Sequence, residues 1–214
     1  MLEAVRAIIN RNQDKASFFN IVQMHYPSCS LEYKLIELSY TTAEEAFVKK
    51  VRDSGEQYFG HLRAVALIII VYLRIWDHHV ICAALLHDII EDIEEWTFEK
   101  LCEVFGEEIA TLVWWVSKPK VSEFNGDKMA RNRFYHERLH RAPRRALIIK
   151  LADRLHNLLT LWETTPDKRA RKITETHDFY LVLAEKEIIL IHELEKSLEE
   201  LKNVNGNNKE KGAV

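Results

Sequence analysis

The sequence predicts an all-α fold. Apolar residues recur at spacings of three and four along almost the whole chain, the period of an amphipathic helix. No stretch alternates as a half-buried strand would. Six glycines and four prolines in 214 residues leave few sites for the tight turns of an all-β chain. Hydrophobic residues make up 47% and charged residues 29%, the balance of a single globular domain. A chain of this length buries roughly 70% of its unfolded surface and needs no staples.

About eight to ten helices are expected. Residues 2–13 form a first amphipathic segment. Phe18, Phe19, Ile21, Val22 and Met24 mark a second, closed by Pro27. These two make an N-terminal helical extension, 1–29, ahead of a core spanning 30–165. Thr42 and Glu45, at capping-box spacing, open a helix that runs to about Arg52 and closes at Gly55. The stretch SGEQYFG links it to a strongly apolar helix from His61 to Arg74. Another helix spans about His79 to Ile90, with His78 and His79 placed toward solvent. Thr97 caps a helix ending at Gly106, and Glu107 and Glu108 suit the first turn of the next, through Val116. Trp114 and Trp115 are assigned to core packing. Residues 117–128 are polar, hold Pro119 and Gly126, and read as a loop. Helices resume near Met129. A long one follows Pro143, with Ile148, Ala152, Leu155 and Leu159 on one face.

Pro166 opens a C-terminal region, 166–202, expected to pack on the core. Its last helix carries the stripe Ala184, Ile188, Ile191, Leu194, Leu198 and Leu201. Such a stripe closes the core or, if exposed, offers a homodimer face. Residues 203–214 lack apolar anchors and are expected to be disordered.

The net charge of −3, from 30 basic and 33 acidic residues, excludes a generally basic coat for a nucleic-acid polymer. The longest apolar run, Ala64 to Leu73, is about half of what spans a bilayer. The first residues lack a secretory pattern. Cys29, Cys82 and Cys102 show no paired spacing and read as thiols of a reducing compartment. A cytoplasmic protein without a membrane partner is the expectation.

One string carries chemistry: His87-Asp88-Ile89-Ile90-Glu91-Asp92. It follows Cys82-Ala83-Ala84-Leu85-Leu86, a run of pure core. His87 and Glu91 are four apart, as are Asp88 and Asp92, so they occupy adjoining faces of a helix. Four ionisable groups then sit at the rim of the interior, where unpaired charge is costly. A divalent cation would neutralise them; the alternative is solvated carboxylates beside a core histidine. His61, which opens an apolar helix, and Asp153, which interrupts IIKLADRLHNLL, favour the cation. Two imidazoles and two carboxylates suit one octahedral ion such as manganese or iron. A thiolate zinc site is excluded by the cysteine spacing.

His61, then His87-Asp88, then Asp153 resembles the ordered signature of the HD-domain phosphohydrolases. SGEQYFGH, ICAALLHDIIED, FGEEIATLV and IIKLADRLHNLLTL narrow this to the hydrolase domain of the RelA/SpoT alarmone enzymes, over about residues 30 to 165. The chain is therefore similar to a stand-alone small alarmone hydrolase built as an HD helical bundle. The resemblance implies that His61, His87, Asp88 and Asp153 bind one metal, normally Mn²⁺. It implies that Glu91 and Asp92 act on the attacking water, and that Arg52, Asn157 and Thr160 contact the nucleotide. The implied reaction hydrolyses the 3′-diphosphate of (p)ppGpp to pyrophosphate and GDP or GTP. Glu91, one turn beyond the ligands, is the first choice for the proton.

Leu62, Gln57, Ile93 and Asp53 depart from the family pattern. Asp53 stands where a basic residue that helps to hold the base is common, which leaves another nucleotide phosphate as the alternative substrate. A non-catalytic nucleotide sensor is a further alternative, disfavoured by the intact Glu91-Asp92 pair.

Between Lys128 and Lys150 stand eight basic residues. The run is either a solvated helix face or a wall for anionic substrate. It leads into the helix of Asp153, so Arg144 and Arg145 are assigned to the second diphosphate. Arg154 is assigned to a carboxylate partner and His156 to a hydrogen bond within the core. Tyr58 can stack or donate to a phosphate.

Overall fold

The computed structural model describes residues 1–210, with the backbone alone beyond Lys202. It is all-α; the one extended feature among the described residues is a single antiparallel bridge between Val51 and Gln57. The N-terminal pair is α1 (Leu2–Arg11) and α2 (Lys15–Gln23), the second capped by Asp14, whose carboxylate accepts from the Ser17 amide at 2.8 Å. Leu2, Val5, Phe18, Phe19 and Val22 are buried in the same core as everything that follows.

The next helix departs from expectation. Ser30 caps α3 (Leu31–Ala46), so Thr42 and Glu45 lie inside a helix that is ending, not starting. The buried stripe Tyr33, Ile36, Tyr40, Ala43 and Phe47 fixes that register. A capping-box pattern is local and cannot compete with five buried apolar positions on one face. Arg52 therefore sits in a turn beside the bridge rather than on a helix, and Gly55 takes φ +85° within that turn.

After α4 (Phe59–Leu67) the apolar helix widens into a π turn at Ile68–Tyr72 and stops at Arg74, whose φ is +55°. Asp77 caps α5 (His78–Leu86), accepting from the His79 and Val80 amides. His78 and His79 are thus half-buried first-turn residues rather than exposed loop residues. From Val80 to Leu86 every side chain of α5 is buried, and α3, α4, α8 and α10 pack around it. The helix breaks at His87-Asp88 (Asp88 φ −101°, ψ 0°) before a single turn, α6 (Ile89–Asp92).

Thr97 caps α7 (Phe98–Phe105) as expected, and Gly106, at φ +86°, turns the chain into α8 (Glu107–Val116). Trp114 is 41% exposed, not core. Then come α9 (Lys128–His140), α10 (Arg144–Leu159), α11 (Pro166–Glu175), a π turn at Thr176–Tyr180, α12 (Leu181–Glu187) and α13 (Ile191–Glu210). Leu194, Leu198 and Leu201 are buried against α10 and α12, so the stripe closes the core. Ile188 leaves that stripe: it ends α12 in the left-handed conformation and is 80% exposed. Helix α13 continues past Asn203 to Glu210; the end of the expected disordered tail, 211–214, lies outside the described residues. No helix among the described residues is long and apolar enough to cross a membrane.

Candidate metal centre and nucleotide pocket

Three helices meet at the HD string. His61 comes from α4, His87 from the end of α5, Asp88 from the break after it, and Asp153 from the middle of α10. The break is what turns His87 and Asp88 toward one point; an unbroken helix would set adjacent residues about 100° apart. One ligand atom each from His61, His87 and Asp88 lies within 4.8 Å of the others. Asp153 joins them, its Oδ1 lying 3.2 Å from His61 Nε2 and 3.7 Å from His87 Nε2. Asp88 Oδ2 lies 3.8 Å and 3.2 Å from the same two nitrogens.

The donor atoms fit a divalent cation. His87 Nδ1 faces the Ala84 carbonyl at 2.8 Å, so its N–H donates there and Nε2 carries the lone pair. That Nε2 is fully buried with no hydrogen-bond partner. A buried nitrogen lone pair with no hydrogen-bond donor, beside two carboxylates, fits a metal ligand. With two imidazole nitrogens and two carboxylate oxygens, the set is that of a borderline-hard ion with further positions for water. Burial pulls the His61 imidazole down to about 4, against the pull of Asp153. At His87 burial acts the same way, but Asp88 and Asp153 together outweigh it and raise it to about 10. The two differ because Asp88 and Asp153 both act on His87, whereas at His61 the pull of Asp153 is opposed by Arg52 and His87.

Neighbours fix each ligand. The Tyr58 hydroxyl donates to Asp88 Oδ2 at 2.6 Å, so this residue holds a ligand rather than stacking on substrate. Lys150 Nζ lies 2.8 Å from Asp153 Oδ2 and His61 Nδ1 2.8 Å from His156 Nδ1. The acidic pair stands on α6 beside the ligands. Glu91 Oε2 accepts from the Lys118 amide at 2.9 Å, and Asp92 pairs with Lys50. Burial and then the Asp88 charge push the Glu91 carboxyl above its ordinary range. Asp92 is raised too, by burial first and with Lys50 working against it.

The centre opens into a cavity of about 420 Å³. Arg52 stands at one end, its Nη2 3.0 Å from both Asn157 Oδ1 and Thr160 Oγ1. Asn157 in turn donates to Asp153, so the Arg52 group is tied to the metal centre. Three residues matched to the nucleotide from sequence are thereby brought together.

Arg144 and Arg145 are not. They lie at the first turn of α10, nine and eight residues before Asp153, about 12 to 14 Å along the axis. Arg145 is bound to Asp77 and Glu108, and Arg144 to Glu187. Neither lines the cavity, which corrects their assignment to substrate. Of the eight basic residues in that run, only Lys150 does. The others were indistinguishable by type, since their faces are set by how α9 and α10 pack. Lys50, Lys118 and Lys172 line the cavity and were missed. Lys150 alone had a local signal, standing three residues before Asp153.

A family model described as an HD domain matches residues 39–189. The bifunctional (p)ppGpp synthase/hydrolase SpoT of Escherichia coli K12 is 35% identical over 187 residues, covering 86% of this chain and 26% of that protein. A guanosine-3′,5′-bis(diphosphate) 3′-pyrophosphohydrolase of Haemophilus influenzae is 40% identical over 161 residues, 74% of this chain and 23% of the relative. The chain thus spans about a quarter of the length of these curated relatives. Among solved structures, one described as a metazoan ortholog of SpoT that hydrolyzes ppGpp superposes with a TM-score of 0.62. It is 28% identical and covers 85% of this chain and 98% of that one. With two imidazoles and two carboxylates gathered in one helical core and a family model matching most of its length, this chain belongs to the HD-domain family.

Proposed function

We propose that this protein is a cytoplasmic, metal-dependent hydrolase that removes the 3′-diphosphate of (p)ppGpp as pyrophosphate, leaving GDP or GTP, with manganese as its ion. The observation that carries this reading is the continuity of one cavity. Asp88 and Asp153, which lie beside His61 and His87, line it together with Glu91, and Arg52, Asn157 and Thr160 line it as well. The relatives named for this reaction support the same substrate.

Each residue has a task set by its surroundings. His61, His87, Asp88 and Asp153 would hold the ion, which when bound supplies Lewis acidity to phosphoryl oxygen and a more acidic water. Glu91 takes the water proton. Its raised affinity for a proton suits it to that task near neutral pH, and the Lys118 amide fixes its orientation. Asp92, anchored by Lys50, shares or relays the proton. Arg52, pinned by Asn157 and Thr160, presents its guanidinium to the base.

Asp53, the reason to consider another nucleotide, is itself paired with Lys168 at 2.6 Å. The pair offsets the negative charge that would repel a polyphosphate.

The test is product identification by mass spectrometry after incubating manganese-loaded protein with ppGpp, with ppApp, NADPH and deoxynucleoside monophosphates as comparators. Pyrophosphate and GDP from ppGpp are expected. Orthophosphate alone, or binding without turnover, would overturn the assignment.

A further inference from the structure

Ionisable side chains of α5, α8 and α10 gather at the end of α5 that points away from the HD centre, and the proposed reaction uses none of them. Asp77 caps α5, and His78 and His79 are its first residues. From His78 to His87 the chain advances about 14 Å along the axis, so this group stands apart from His61, His87, Asp88 and Asp153. Glu108 reaches it from the first turn of α8, and Arg145 from the first turn of α10.

Two imidazoles form its centre. The ring centroids of His78 and His79 are 3.9 Å apart, with the planes tilted by 37°. One ligand atom each from Asp77, His78 and His79 lies within 4.8 Å of the others. Glu108 brings a further donor from a different helix, its Oε2 standing 3.4 Å from His79 Nε2. Two ligands held at about 2.1 Å on a tetrahedral zinc ion stand about 3.4 Å apart, so this pair has the separation of neighbours on one ion. Tyr26 packs edge-on against His78 and is itself fixed, since its hydroxyl donates to the Trp76 carbonyl at 2.7 Å.

Charge favours a cation as well. Asp77, Glu108 and Glu32 all act on His78. Arg145 answers the first two, bonding to Asp77 Oδ1 and Glu108 Oε1. The other oxygen of each carboxylate is left, and that of Glu108 is the one facing His79. Three carboxylates against one guanidinium leave a net negative corner that suits a divalent ion. Burial first, and then the charge of His79, lower the proton affinity of His78. A neutral imidazole keeps the lone pair that a metal takes.

We propose that His78, His79 and Glu108, with Asp77 beside them, form a second metal site for a transition ion such as zinc, which clasps the start of α5 to the start of α8. Imidazole and carboxylate donors suit zinc, and protein donors that fill a tetrahedron are the pattern of a structural ion rather than a catalytic one. The site does not depend on the reaction proposed above.

Equilibrium dialysis of the full chain against zinc, followed by metal analysis, counts the ions bound. Wild type is expected to hold one equivalent more than the His78→Gln/His79→Gln variant, which should keep its manganese affinity and its turnover of ppGpp. With manganese present in both, added zinc should raise the urea midpoint of wild type more than that of the variant. Glu108→Gln alters a side chain that is 54% exposed, so the fold tolerates it, and it should weaken the extra equivalent at least about tenfold. Equal zinc equivalents in wild type and the double variant overturn the site, and so does an unchanged zinc affinity in Glu108→Gln. Loss of the extra equivalent from a protein that does not hydrolyse ppGpp keeps the site and overturns the proposed reaction.

Discussion

His61 and His156 meet nitrogen to nitrogen in the interior, Nδ1 to Nδ1 at 2.8 Å. Two imidazoles can do this only if one donates and the other accepts. A His61 that offers its Nε2 lone pair to a metal carries its proton on Nδ1 and donates it, so His156 must be neutral and accept. Burial drives His156 well below the ordinary imidazole range, consistent with that state. His156→Ala is expected to weaken manganese binding by about 10- to 100-fold, whereas His156→Asn, which keeps an acceptor near the Nδ1 position, retains most of it. Competition with a fluorescent chelator measures both. Equal affinities for wild type and the alanine variant would remove His156 from this role.

Glu91 is reached by burial and by the Asp88 charge, and both favour its protonated form. Because the role proposed for Glu91 needs its deprotonated form to take the water proton, kcat should fall on the acid side at a pH above the ordinary glutamate value of about 4.3. Glu91→Gln is expected to lower kcat by about 10²- to 10⁴-fold with manganese still bound, and to abolish that acid limb. A pH–rate profile together with metal analysis decides this; an intact limb in the glutamine variant assigns the titration elsewhere.

The two arginines at the start of α10 serve the fold. Arg145→Ala and Arg144→Ala should leave KM and kcat unchanged. Arg145 reaches both Asp77, the cap of α5, and Glu108, with its side chain 36% exposed. After solvent screening its loss should lower stability by only about 0.5–1 kcal/mol in urea titrations. A rise in KM without loss of stability would restore the substrate role.

Ile188 occupies the left-handed region at φ +55°, ψ 52°, with 80% of its surface exposed. A β-branched side chain is strained there and buries little in return. Ile188→Gly should raise stability by about 1 kcal/mol, seen as a higher urea midpoint at unchanged slope. A lower midpoint would mean that the side chain contributes packing that outweighs the strain.

Glu175 is held below the ordinary carboxylate range. Burial opposes this, but His136, Arg154, Lys172 and Lys118 outweigh it. A depressed acid stabilises the fold above its unfolded value of about 4.3 and loses that contribution as pH falls toward its folded value. Glu175→Gln should therefore cost about 2 kcal/mol at pH 7, and the gap from wild type should narrow below about pH 4. A gap independent of pH would show that the charge of Glu175 is not what stabilises.

The fold class and the ligand types were legible because both are local. Helical periodicity, Thr97 before α7 and the HD string each act within a few residues. The boundary of α3 was not, since Thr42 and Glu45 mimic a helix start and only the burial of Tyr33, Ile36 and Tyr40 reveals that the helix began at Ser30. The basic run misled for the same reason: identical charges, with the packing of α10 deciding that Lys150 faces the cavity while Arg144 and Arg145 face Glu187, Asp77 and Glu108.

By itself, the sequence determined an all-α chain with two imidazoles and two carboxylates fit for a divalent ion. Tertiary structure alone decided what surrounds them. Tyr58 on Asp88, Lys150 on Asp153 and Arg52 on Asn157 and Thr160 depend on where the helices cross, and the three cations around Glu175 depend on α11 lying against α10. Residue type fixes which charges exist. The packing of apolar faces fixes which of them share a cavity, because that burial outweighs any single ion pair in choosing the arrangement of helices.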